Sequence, residues 1–238
     1  MDALHKVLQA FFSPSSARLA LPDLWAGFKL NLEMMFAAEA LVLVFALGIA
    51  IVRGLPGRGA RPLRALAVVY TDVFRGTPII LVAFLVGFGL PGLQLNVIST
   101  QSNFVYGVMA LTLVYTAYVT EVYRAGIDSV HPSQRMAART LGLTDFQALR
   151  YVVVPQAVRR VIPPLLNDFV GLQKDTALVT VIGVAEATQQ AQQYSQNNYN
   201  FTSYVVAATF FILLTIPLAR FTDYLILKRE RRERAQAT

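Results

Sequence analysis

Stretches of about twenty apolar residues recur along this chain. Each is long enough to cross a bilayer, because a helix rises about 1.5 Å per residue through a hydrocarbon core roughly 30 Å thick. The first, MMFAAEALVLVFALGIAIV at 34–52, is interrupted only by Glu39. Residues 65–90 carry Asp72 and Arg75 toward their start, 104–123 carry Glu121, and 204–227 stay apolar until Arg220 and Asp223. Residues 151–173 are harder to place. Pro155, Pro163 and Pro164 remove helix donors, and Arg159, Arg160 and Asp168 are costly in lipid. Such a segment persists at membrane depth only when other helices enclose it or it lines a wet cavity. The expectation is an all-α integral membrane protein of about five transmembrane helices.

Composition agrees. Of 238 residues, 55% are hydrophobic and 15% charged, well below the roughly one quarter charged of a soluble domain. The net charge of +7 resembles a nucleic-acid signal, but its placement points to membrane topology instead. With five spans, fifteen Lys and Arg fall in segments 53–64, 124–160 and 228–234, against four at Lys6, Arg18, Lys29 and Lys174. Cytoplasmic loops hold the positive excess, so the N-terminus is expected outside and the C-terminus inside. No signal-peptide flank or cleavage site precedes the first span, which reads as retained. Three regions follow: an outer N-terminal segment 1–28, a membrane domain 29–227, and a basic cytoplasmic tail 228–238. The tail KRERRER directly follows a span, so it reads as an inner-face lipid anchor rather than an RNA-binding run.

The chemistry of most enzymes is missing. There is no phosphate-cradling G-x-x-x-x-G-K-[ST] and no G-x-S-x-G. The chain has no cysteine, and His5 and His131 lack metal-ligand spacing, so no metal site is expected. Gly54, Gly57 and Gly59, set among prolines and arginines, suit a tight turn better than a nucleotide loop.

One polar stretch is too long for a connector: RAGIDSVHPSQRMAARTLGLTDFQALR, 124–150, between the third and fourth spans. Helix formers at 134–141 stop at Gly142, and Thr144 can cap a second helix from Asp145 to about Val152. Leu141, Leu143 and Phe146 then form an apolar knob at the bend, rimmed with arginine. It is either gripped by a partner or packed on its own membrane face.

Here the sequence resembles the permease subunits of ATP-binding-cassette importers. Their signature is E-A-A, three residues, G, nine residues, I-x-L-P. Ala137, Ala138 and Gly142 match it, and Val152–Pro155 follow at the right distance. Met136 stands where the family usually has Glu. The branch importing polar amino acids is the nearer likeness. Its F-R-G-T-P matches Phe74, Arg75, Gly76, Thr77 and Pro78, and A-Y-x-x-E-x-x-R-x-G-I-x-S matches Ala117 through Ser129. P-Q-A-x-R-x-x-x-P-P-L-x-N follows at Pro155–Asn167, with Pro163 and Pro164 inside it, and K-D-T-A-L-x-x-x-I-G-V-x-E at Lys174–Glu186. In the N-terminal G-x-x-x-T-L, Gly27 and Leu32 fit but Asn31 replaces Thr.

The resemblance implies a multi-pass protein of a bacterial plasma (inner) membrane that carries a polar amino acid into the cytoplasm. Implied partners are a cytoplasmic ATPase dimer, a second permease subunit (the same chain or a relative) and an external substrate-binding protein. ATP and Mg would sit on the ATPase, and this chain would bind no cofactor. The coupling loop would use Met136, Ala137, Ala138, Arg139, Leu141, Gly142, Leu143 and Phe146. Intramembrane polar groups usually face an interior cavity, which makes Glu39, Glu121, Asn167, Asp168 and Lys174 candidates for the substrate path or gate. Competing roles are local: Glu121 holding Arg124, and Asp72 holding Arg75. For Glu39, a cationic substrate, a proton and another helix all stand open. The amide-rich 186–202 reads as a contact for the binding protein or a plain solvated loop. Rival classes are a self-contained secondary transporter and a scaffold without transport activity.

Overall fold

The computed structural model describes residues 2–95 and 97–237, and among them there is no strand. Its helices are α1 (Asp2–Phe11), α2 (Pro14–Gly54), α3 (Arg61–Gly76), α4 (Ile79–Gly92), α5 (Asn103–Asp128), α6 (Pro132–Thr140), α7 (Asp145–Ala148), α8 (Val154–Asp175), α9 (Ala187–Asn198) and α10 (Thr202–Ala237). Short π-helical turns at Leu85–Gly89 and Leu149–Val153 and a 3-10 stretch at Thr176–Ile182 join or interrupt them.

Among the described residues, three helices are long and apolar enough to cross a bilayer: the first, lying within Ala3–Gly54, then Asn103–Asp128 and Thr202–Lys228. A fourth is added if α3 and α4 count as one broken span. The break lies at F-R-G-T-P, where Pro78 adopts an extended φ −56, ψ 133 and opens α4 without a side-chain cap. α8 is a helix where the proline-rich stretch predicted one, with Pro163 and Pro164 inside it, but its arginines and acids keep it out of the apolar group. The expected outer segment 1–28 holds α1 and the first part of α2. The side chains of Arg229, Glu230 and 232–238, most of the expected basic tail, lie outside the described residues, as does Asn96.

The chain divides into two compact units. The first comprises 1–40, 77–112 and 170–219, and the second 41–76, 113–169 and 220–238. The chain passes between them at 40/41, 76/77, 112/113, 169/170 and 219/220, each inside one of the five expected spans.

In the first unit, Ala20, Leu24 and Phe28 of α2 pack on Ala187 and Ala191 of α9 and on Ala207 of α10. Small residues on α9 let α2 approach closely, and removing Leu24 and Phe28 from water stabilises the contact. Phe28 lies tilted on Phe210 at 5.3 Å and edge-on to Phe211 at 5.4 Å. Gly27 is the tightest point: a Cβ there would lie 2.7 Å from the Ala187 nitrogen and the Glu186 carbonyl carbon. One turn on, buried Asn31 donates through Nδ2 to Glu186 Oε2 (3.0 Å) and Thr176 Oγ1 (3.1 Å), and its Oδ1 accepts from Ala187 N (3.1 Å). Glu186 caps α9 by accepting from Thr188 N and Gln189 N, both at 2.8 Å. Burial pushes its carboxyl above the usual range, against those hydrogen bonds, which lower it.

In the second unit, Gly126 of α5 lets α8 approach, since a Cβ there would meet Val161 Cγ1 at 2.1 Å. Val130, Val153 and Ala157 form a small core beside this contact.

Candidate functional site

The loop after α5 is built from its caps upward. The His131 side chain accepts from Ser133 N at the start of α6, and Pro132 occupies the first helical position. α6 ends at Thr140 and is turned off by Gly142, whose φ of +88 is left-handed. Gly142 N donates to Arg139 O (3.0 Å) and Leu143 N to Ala138 O (3.2 Å), the paired bonds of a Schellman turn. Thr144 then opens α7 with a capping box: Gln147 N donates to Thr144 Oγ1 (3.3 Å), and Thr144 N to Gln147 Oε1 (2.8 Å). The stop at Gly142 and the cap at Thr144 are those the sequence predicts. The second helix is shorter than expected, giving way to the π-helical turn after Ala148.

The two helices form a knob. Ala138 and Ala148 are buried beneath it, while Leu141 is 82%, Phe146 67% and Met136 61% exposed. Leu143 is half-buried. Asp145 braces the bend, taking Arg135 Nη2 at 3.1 Å and pairing with Arg139. These two arginines hold the Asp145 carboxyl below its usual range, with the Arg139 hydrogen bond the larger cause. For a carboxyl lowered on folding, the stabilisation is present above the unfolded pKa and is lost as pH falls through the folded one. Amide-exchange protection across 139–148 is therefore expected to stay level around neutrality and to fall only below the ordinary carboxylate range. Asp145→Asn should show the reduced protection already at pH 7. Equal protection in both proteins at pH 7 would remove Asp145 as the brace.

A pocket of about 510 Å³ lies beside α5 in the second unit. Its polar lining is Arg75, Tyr118, Glu121, Ser129, Arg160 and Asp168. Glu121 pairs with Arg53, whose side chain is 9% exposed, and reaches Arg75 at 3.8 Å. Arg53 also donates to Thr71 Oγ1 at 3.1 Å. The local pairs read from the sequence differ from these. Arg124 instead meets Asp128 one turn on at 3.7 Å, and exposed Asp72 has no ion pair among the described residues. Glu121 is turned toward α2 and α3, where two guanidinium groups outbid one solvated neighbour. Arg160 donates to the Ser129 carbonyl, tying α8 to the end of α5. Asp168 Oδ2 is buried with no hydrogen-bond partner among the described residues.

Of the five path candidates, Glu121 and Asp168 line this pocket. Asn167 is exposed outside its lining, and half-buried Glu39 and exposed Lys174 belong to the first unit. Arg53, Arg160 and Asn31 were not among the candidates. Among the described residues, no cluster of His, Cys, Asp or Glu could hold a metal ion.

Residues 55–231 match the family described as binding-protein-dependent transport system inner membrane component. The chain is 36% identical over 172 residues to the probable glutamine ABC transporter permease protein GlnM of Bacillus subtilis, covering 72% of this chain and 78% of the relative. It is 33% identical over 214 residues to the glutamine transport system permease protein GlnP of Escherichia coli K12, covering 90% and 94%. Among solved structures, an amino acid ABC transporter with histidines superposes with a TM-score of 0.79 at 33% identity, over 88% of this chain and 94% of that one. The inward-facing MetNI methionine ABC transporter shares the fold, with a TM-score of 0.72 at 18% identity. Against a secondary transporter, these likenesses decide for a transport subunit whose ATP hydrolysis lies elsewhere. The chain belongs to the binding-protein-dependent inner membrane components, as a permease subunit of an ATP-binding-cassette importer.

Proposed function

We propose that this chain carries a polar amino acid inward across a bacterial plasma membrane, driven by a cytoplasmic ATPase dimer seated on the loop 136–149. The observation that carries this reading is the exposed Met136–Leu141–Phe146 knob, held in one shape by the Schellman turn, the capping box and the Asp145 brace. A knob fixed by its own hydrogen bonds can transmit the movement of a partner as a rigid body, because packed interiors resist deformation. ATP and Mg belong to the ATPase. A second permease chain and an external binding protein complete the complex, with the N-terminus outside and the C-terminus inside. The three long apolar helices, the broken α3–α4 pair and α8 make up the five spans of this reading.

The pocket suits a zwitterion. Arg75, 44% exposed at its side chain, offers a guanidinium to a carboxylate, and Asp168 in the same lining brings a carboxylate for an ammonium. A charge-assisted hydrogen bond contributes about 1.5–3 kcal/mol. Asp168→Asn is therefore expected to raise the substrate concentration for half-maximal uptake by on the order of tenfold in proteoliposomes. Stimulation of the ATPase by loaded binding protein should persist. Unchanged uptake kinetics in this variant would remove the pocket from the path.

A further inference from the structure

We propose that the cleft between α2 and α9 is the port into which the external substrate-binding protein inserts a basic side chain, with Asp23 as its counter-charge. This rests on the importer reading and names a contact point for one of its partners. The cleft encloses about 260 Å³ and is lined by Ala20 and Asp23 from α2 and by Gln190, Gln193, Tyr194 and Asn197 from α9, with Asn198 at its edge. The α9 residues recur at i, i+3, i+4 and i+7, so they form one face of that helix. Ala187 and Ala191, on the face beside them, are buried against α2.

The walls are fixed before anything binds. Backbone contact at Gly27, the Asn31 bonds to Glu186 and Ala187, and a 2.8 Å bond from Ser203 Oγ to the Ala191 carbonyl all hold α9 in place. A preformed cleft avoids much of the ordering cost of association. Its chemistry is one-sided. Asp23 is the only charged residue in the lining, is exposed, and has no ion pair among the described residues. From Ala187 to Thr202 no charged residue occurs, so nothing on α9 neutralises it. The side-chain amides around it can each turn an oxygen toward a donor, and the Asp23 carboxylate sets the sign, so the cleft matches a guanidinium or ammonium and repels an anion. Of possible cations, a side chain of the binding protein fits best. The family depends on that protein, and the charge bias of the loops puts α2's start and the 186–202 segment on its side of the membrane.

The test uses the complete complex of permease and ATPase in lipid nanodiscs, titrated with loaded binding protein while ATP hydrolysis is followed. Asp23→Lys is expected to raise the half-saturating concentration by about tenfold or more, with the basal rate and the saturated rate unchanged. Asp23→Asn should give a smaller rise and flatten the dependence on ionic strength. A photo-crosslinker at Gln193 should capture a Lys- or Arg-bearing segment of the binding protein, and Asp23→Lys should abolish the capture. Superimposable titrations for wild type and both variants would overturn the proposal while leaving the importer reading intact. So would a fall in the saturated rate without a shift in half-saturation, which marks a structural role. A shift that follows amine-headgroup content of the nanodisc instead of the binding protein would assign the cleft to lipid and overturn it too. No stimulation of the wild-type complex at any concentration would overturn the importer reading, and this proposal with it.

Discussion

Gly142→Asp is expected to leave the chain inserted and folded while reducing binding-protein-stimulated ATP hydrolysis to near its basal rate. The folded chain tolerates the change because no atom lies within 4 Å of where the Cβ would go. The backbone cost is local. A φ of +88 is strained for any L side chain, by about 1 kcal/mol, and this falls on the Schellman turn that joins α6 to α7. The new carboxylate also stands next to the pairing of Arg139 with Asp145 and competes for the same guanidinium. Knob shape and knob charge change together, whereas the buried contacts at Ala138 and Ala148 remain. Normal yield and thermal stability with lost stimulation is the expected pair of results. Wild-type stimulation in that variant would mean the bend does not couple ATP hydrolysis to transport.

Gly27→Ala and Gly48→Ala, in the same helix, are expected to move stability in opposite directions. At Gly27 the added Cβ itself is the obstacle, and it meets backbone at 2.7–2.9 Å, not a side chain that could rotate away. That backbone is the capped first turn of α9, held by Asn31 and Glu186. Overpacking of this kind costs about 3 kcal/mol, enough to lower the melting temperature and the yield in detergent sharply. Gly48 has nothing within 4 Å, so alanine there relieves helix entropy and should be neutral or stabilising by roughly 0.5–1 kcal/mol. Equal melting temperatures for the two variants would show that the α2–α9 contact does not hold the first unit together.

The knob was the most legible part of the molecule, because its stop and start signals are local: a glycine that can take a left-handed φ, then a Thr with Gln three residues on. The all-helical fold was legible for the same reason, since an apolar run of twenty residues needs no tertiary context. Residues whose role depends on a distant partner were harder. Asn31 read as a flaw in a motif that prefers Thr, yet it bonds three groups at once from a buried position, one of them 155 residues away. Arg53 counted as one basic loop residue among fifteen, but its position at the end of an apolar helix lets it fold back onto Thr71 and Glu121. Glu121 and Arg124 sit at helical spacing for a pair, and the stronger cross-helix partners of Glu121 override it. Periodicity places a side chain on a face but does not say which neighbouring helix that face meets.

This chain is expected to move an amino acid only when an ATPase is seated on its 136–149 loop. The direct measurement is uptake of labelled amino acids into proteoliposomes holding the purified complex, with binding protein outside and ATP inside, beside the same vesicles made with permease alone. ATP-dependent uptake of at least one polar amino acid by the complex, and none by the permease alone, is the expected result. Uptake by the permease alone, driven by an ion gradient and indifferent to ATP, would contradict it.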